Sequence, residues 1–193
     1  MTANQASIYG MTPRSGEDEH GDGNFQIEFC NPGVLWDQWV GCENVLFWSD
    51  LSQANLIDGS FTTATDSIVA NLAPTQVSLY FPAARIGKGN YIFAMYFNSD
   101  LIPYPRGNMF AISSVYSTDA SGDPNISPEG ISIMENYLID VKIDDGYGFS
   151  GKVMTHNGND FNSISEVCAS LVPPYPYNTT TPDRVACHVL IYW

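Results

Sequence analysis

The chain has 193 residues, 44% of them apolar and 15% charged, with 10 Phe, 4 Trp and 11 Tyr. Such a composition belongs to a globular protein rather than a disordered one, and the length fits one domain able to bury roughly 70% of its unfolded surface. Against 21 Asp and Glu stand 7 Lys and Arg, a net charge of −14 without any Lys/Arg cluster, so nucleic-acid phosphates and anionic lipid headgroups are repelled and no nucleic-acid partner is expected.

Residues 1–24, carrying Gly, Asp, Glu and Ser, read as an exposed, partly mobile lead-in, and residues 25–193 as a single domain. The opening MTANQASIYG lacks the basic start and apolar centre of a signal peptide. Asp18, His20, Asp22 and Glu28 fall at spacings similar to a calcium loop. The final acid comes one residue early, His20 stands where an oxygen donor belongs, and no helices flank the segment. Asp18, Asp22 and Glu28 are thus candidates only for a structural calcium, and no other cofactor is expected.

FQIEFC (25–30) alternates apolar and polar residues as a short strand does. NPGVLWDQWVG follows as an aromatic loop leading to Cys42. The four cysteines, Cys30, Cys42, Cys168 and Cys187, include no CxxC, which removes support for zinc-ribbon and thioredoxin-like readings. Three pairings are open, the local one (Cys30 with Cys42, Cys168 with Cys187) being the simplest, and four buried thiols are the alternative. Each local bridge closes a loop of roughly a dozen to twenty residues and contributes roughly 2–4 kcal/mol. Two bridges imply export to an oxidising compartment.

ENVLFWSDLSQANLIDG (43–59) is the clearest helix, with Phe47, Leu51 and Ala54 recurring at i, i+4 and i+7, Leu46 and Trp48 widening the stripe, and Gly59 placed as its C-terminal cap. TQVSLYF, NYIFAMYF and NMFAISSVYS then read as strands bounded by Gly, Pro or Asn. The longest apolar run among them, YIFAMYF, is far short of the ~20 residues that span a bilayer. A second helix is expected from about Pro128 to Ile143, with Ser127 as N-cap and Met134, Tyr137, Leu138 and Val141 on its apolar face. KVMTH (152–156) and ACHVLIYW (186–193) close the chain as strands. The order argues for an α+β fold, an antiparallel β-sheet packed against helices and stabilised by disulfides.

Gly146, Gly148 and Gly151 spell GxGxxG, but a dinucleotide site needs a strand before the glycines and a helix after them. Here the expected helix precedes them, so they face the negative end of its dipole, where phosphate is disfavoured. Asp144, Asp145 and Gly146 read as turn chemistry, the acids facing solvent or pairing with Lys142 or Lys152. Asp140, Asp144 and Asp145 could face a cation, but Lys142 intrudes. Three histidines (His20, His156, His188) and no GxSxG leave no catalytic set, and no catalytic residue is assigned. His188 alternates within an apolar strand as a surface or packing residue. Trp36, Trp39, Tyr175 and Tyr177 lie in loops, where rings stack on sugars, seat a partner, cover a sheet edge or pack on the disulfides.

Four segments in collinear order resemble bacterial type IV pilin-like proteins and type II secretion pseudopilins. FWSDLSQANLIDGSFT (47–62) is similar to the family's FWxHLxxAGLIxGSFT and follows an acidic GDGN (21–24). FPAARIGKGNY (81–91) is similar to xPxSKIGxGGY, and SPEGISIMENYLIDVKIDDGYGFSGKV to TPEDAYNIDxKIDDGxPxxGKV. Cys168 and Cys187 match the disulfide-closed C-terminal region. Asp50 replaces the usual His, Asn55 the usual Gly, and the Cys30/Cys42 pair is an addition. The resemblance implies a globular pilin-like head whose processing site and membrane helix are missing, displayed on a bacterial surface or secretion filament. Its partners would be other pilin-like subunits, and its membrane contact only that helix. A carbohydrate- or protein-binding module using Trp36, Trp39 and the PPYPYNTT loop (173–180) is the alternative.

Overall fold

The computed structural model describes residues 25–28, 30, 40–64, 67–97, 104–127, 130–157 and 167–193. Among these residues helix α1 (Cys42–Gln53) comes first, then a 3-10 turn (Val77–Leu79). Strands β1 (Tyr91–Phe97), β2 (Gly107–Ser113), β3 (Val115–Thr118), β4 (Pro124–Ile126) and β5 (Ile131–Ser132) precede helix α2 (Ile133–Ile143). Strands β6 (Val153–Asn157) and β7 (Val185–Tyr192) complete the order.

The main sheet is antiparallel throughout and built on β7. Val189–Tyr192 pair with β2, Val185 and Cys187 with β5 along the same edge, and Cys187–Ile191 with β6 along the other. Strand β1 lies outside β2, and β3 with β4 forms a separate hairpin. Residues opposite one another in such a ladder share a face. Phe93, Met95, Met109, Ala111, Leu190 and Met154 therefore line one face, with His188 opposite His156. Ala94, Phe110, Ile112, Val189, Ile191 and Val153 line the other.

Both helices lie on the second face. Phe47 and Trp48 of α1 meet the Phe110 ring, and Asn136 of α2 donates to Thr155 Oγ1 at 2.8 Å. Loop residues cover the first face, Phe81 against Phe93 (centroids 4.3 Å apart) and Tyr104 against His156 (5.4 Å). Helices gathered on one side of an antiparallel sheet make the architecture α+β, as expected. The disulfides take the local pairing, Cys30–Cys42 and Cys168–Cys187, with Cα separations of 5.2 and 5.9 Å.

Several local expectations need correction. Helix α1 ends at Gln53, and Gly59 does not cap it. Leu56 N donates to Leu51 O and Asn55 N to Ser52 O, the paired bonds that close a helix around a left-handed residue, here Asn55 at φ 55°. Gly59 (φ 114°) lies further on, in a turn where its carbonyl accepts from Ser52 Oγ. The TQVSLYF segment forms the 3-10 turn instead of a strand. Pro74 and Pro82 bracket it, and Val77 and Phe81, one helical turn apart, are both fully buried.

Residues 25–28 run beside β1 without becoming a strand, because Ile27 N donates to the Asn108 side chain (3.1 Å) rather than to a backbone carbonyl. NMFAISSVYS is broken at Ser114 between β2 and β3. Helix α2 begins at Ile133, not near Pro128, and Ser127 does not cap it: its N–H donates to Ser114 O. Ser132 is the N-cap, in a reciprocal box with Glu135 that the Ser-x-x-Glu spacing encodes. Pro128 and residues 1–24 lie outside the described residues.

Candidate functional site

Helix α2 turns an unexpected face to the sheet. Ile133, Asn136 and Asp140 are its buried residues, while Leu138 (56% exposed) and Val141 (49%) face solvent. Asn136 and Asp140 are four residues apart, so both reach Tyr177 on the C-terminal segment. Asn136 Nδ2 donates to Thr155 Oγ1 (2.8 Å) and to His188 O (2.9 Å). The Tyr177 hydroxyl lies 3.1 Å from Asn136 Oδ1 and 3.0 Å from Asp140 Oδ2. A buried polar network thus joins α2, β6, β7 and the 167–184 segment, and each partner answers another's desolvation.

At the end of α2, Asp140, Asp144 and Asp145 bring carboxylate oxygens within 4.8 Å of one another. Protein donors already hold all three. Asp140 Oδ1 accepts from Gly146 N (3.1 Å), Asp145 from Tyr147 N (2.9 Å) and Ser150 Oγ (2.7 Å). Asp144 Oδ2 accepts from Lys152 N and, at 3.1 Å, from Val153 N. Asp144 and Asp145 are exposed, as expected, and besides facing solvent they fasten the backbone of the turn. Burial pushes the Asp140 carboxyl up to about 6, helped by the nearby Asp145 and Asp144 charges, although the Gly146 and Tyr177 hydrogen bonds pull it down.

Helix α2 precedes the glycines and β6 follows them. Gly146 (φ 79°) and Gly151 (φ 71°) supply left-handed turn conformations. Gly148 answers a different need: a Cβ there would collide with Ala169 and approach Thr155 Cγ2 to 2.9 Å. The three glycines serve bending and close packing in a turn leading away from a helix C-terminus.

Of the roles open to Tyr177, packing is the one it takes and an exposed partner contact is not: it is 6% exposed and bonded into the network. Burial raises its hydroxyl pKa, and the neighbouring Asp140 adds to the effect. Tyr175 is half-buried, its ring edge-on to Phe149 at 6.1 Å. Glu28 places its N–H on Glu43 Oε2 (2.8 Å), whereas Asp18, Asp22, Trp36 and Trp39 lie outside the described residues. His188, expected as a surface or packing residue, is buried with His156, ring centroids 6.2 Å apart.

No family model, characterised protein or solved structure matches the chain.

The Asn136–Asp140–Tyr177 network was missed because the helix was read from its apolar residues alone. Its signal is present in the sequence: Ile133, Asn136 and Asp140 stand at i, i+3 and i+7, a helical stripe as regular as the apolar one. Also missed was the aromatic pile Trp48–Phe110–Trp193, whose members lie on α1, on β2 and just beyond β7 and meet only through the fold.

Proposed function

We propose that the chain is the globular head of a pilin-like subunit, non-enzymatic and exported, which acts by assembling into a bacterial surface or secretion filament. The reading rests on four collinear segment resemblances. Both helices on one side of an antiparallel sheet and the bridge between Cys168 and Cys187 are compatible with such a head. The observation that carries it furthest is at Asn55. The pattern that FWSDLSQANLIDGSFT resembles has Gly there, and the backbone at this position is left-handed (φ 55°), a conformation that Gly adopts freely and Asn better than most residues. Departure from the pattern thus keeps the physical requirement of the position.

Filament subunits pack head against head, so the acidic surface and exposed side chains would set the choice of neighbour. The experiment is to read the coding sequence upstream of Met1 and locate the product. A basic leader, a Glu-containing processing site and about 20 apolar residues before Met1 are expected, with the head detected on sheared filaments. Absence of that segment from the full-length gene overturns the proposal.

A further inference from the structure

We propose that Trp193, backed by Phe110, forms a stacking platform for the C–H face of a neutral pyranose in an oligosaccharide. Three rings lie in series from core to surface. Trp48 is buried; Phe110 follows at 5.9 Å and 32°; Trp193 stacks on Phe110 at 5.5 Å and 26°. Trp193 is 59% exposed with its inner face on Phe110, so its outer face is turned to solvent. The pile orients that indole before any ligand arrives, which lowers the ordering cost of binding.

Backbone bonds fix the same corner. Trp193 N donates to Asn108 O (3.3 Å), and Tyr192 N to Lys152 O (2.8 Å). The Asn108 side chain donates to Phe25 O (2.6 Å), and Phe25 is 91% exposed. One asparagine therefore gathers two exposed aromatic residues beside the end of the sheet.

The chemistry around them favours an uncharged ligand. Glu28 and Glu43 approach this corner through the 25–28 segment, and Arg106 stands two residues before Asn108. Neither sign of charge stands alone there, while a chain of net charge −14 repels anionic glycans. A polar rim around rigid aromatic faces suits a hydroxyl-rich ring with an apolar face, such as a β-linked glucose or N-acetylglucosamine unit. The inference is independent of the filament reading, because none of the segments that carry that resemblance contains Trp193, Phe110 or Phe25.

The test is calorimetric titration of the full chain with neutral hexasaccharides of β-linked glucose and of N-acetylglucosamine. At least one is expected to bind with Kd below about 1 mM, independent of added salt. Trp193→Ala should weaken it about tenfold, with an unchanged circular dichroism spectrum, and Trp193→Tyr by no more than about threefold. Lack of binding by both sugars, or equal affinity in Trp193→Ala, overturns the proposal. So does Trp193-dependent, salt-sensitive binding of an arginine hexapeptide without sugar binding.

Discussion

Asp140 and His188 are buried groups whose protonation pulls stability in opposite directions. For Asp140 the folded carboxyl titrates near 6 against 3.8 for an unperturbed one, so the folded state holds its proton longer and stability falls as pH rises from about 4 to about 6. For His188 burial, with His156 adding to it, holds the folded imidazole well below 6.5, so stability is complete above that pH and falls as the medium acidifies below it. The two slopes oppose each other across mildly acid pH. Asp140→Asn, whose Oδ1 can still accept from Gly146 or Tyr177, should leave a stability that only rises with pH from about 4 to about 6.5; His188→Leu should leave one that falls. Urea unfolding followed against pH reads both slopes, and parallel profiles for the two variants would contradict the assignment. Gly148→Ala belongs to the same scale. Its new methyl meets Ala169 and Thr155, so a loss of about 1–3 kcal/mol is expected in the same unfolding assay.

For an element, what matters is which side it buries, and α2 buries the one that composition disguises. Leu138→Gln and Val141→Gln, both on the solvent side, are expected to change stability by less than about 0.5 kcal/mol. Asn136→Ala removes the donor to Thr155 and His188 and the acceptor facing Tyr177, and should cost about 2–4 kcal/mol. Thermal unfolding of the variants checks that order. Much of the secondary structure was legible: NYIFAMYF, KVMTH and ACHVLIYW are strands, and two helices lie where apolar spacing put them, with shifted ends. Their shifts have local causes. Asn55 can take the left-handed end that was assigned to Gly59, and the Ser132–Glu135 box outcompetes Ser127 as a start. The burial of α2 was not legible from apolar residues alone. Asn136 and Asp140 can be buried only because Thr155, His188 and Tyr177, distant in sequence, arrive with matching atoms.

Across the whole molecule, the two disulfides stabilise unequal territory. Cys187 sits within β7, opposite Ile131 of β5 and Asn157 of β6, so its bridge to Cys168 ties an outlying segment to the middle of the sheet. Cys30–Cys42 ties the start of α1 to a segment outside the ladder. Replacing both residues of the C-terminal bridge by Ser should cost about 3 kcal/mol, and the same change in the N-terminal one less, measured by denaturant midpoints.

The strand on which the sheet is built is also translated after the other described strands. Hairpin β1–β2 can close as soon as it leaves the ribosome, but β5 and β6 each wait for β7 to supply their hydrogen-bonding partner. Until β7 emerges, the apolar faces of β5 and β6 have no ladder to join. A nascent chain stalled before Val185 would remain open to proteases and to chaperones, and assembly of the core would come as one late event rather than by stepwise growth.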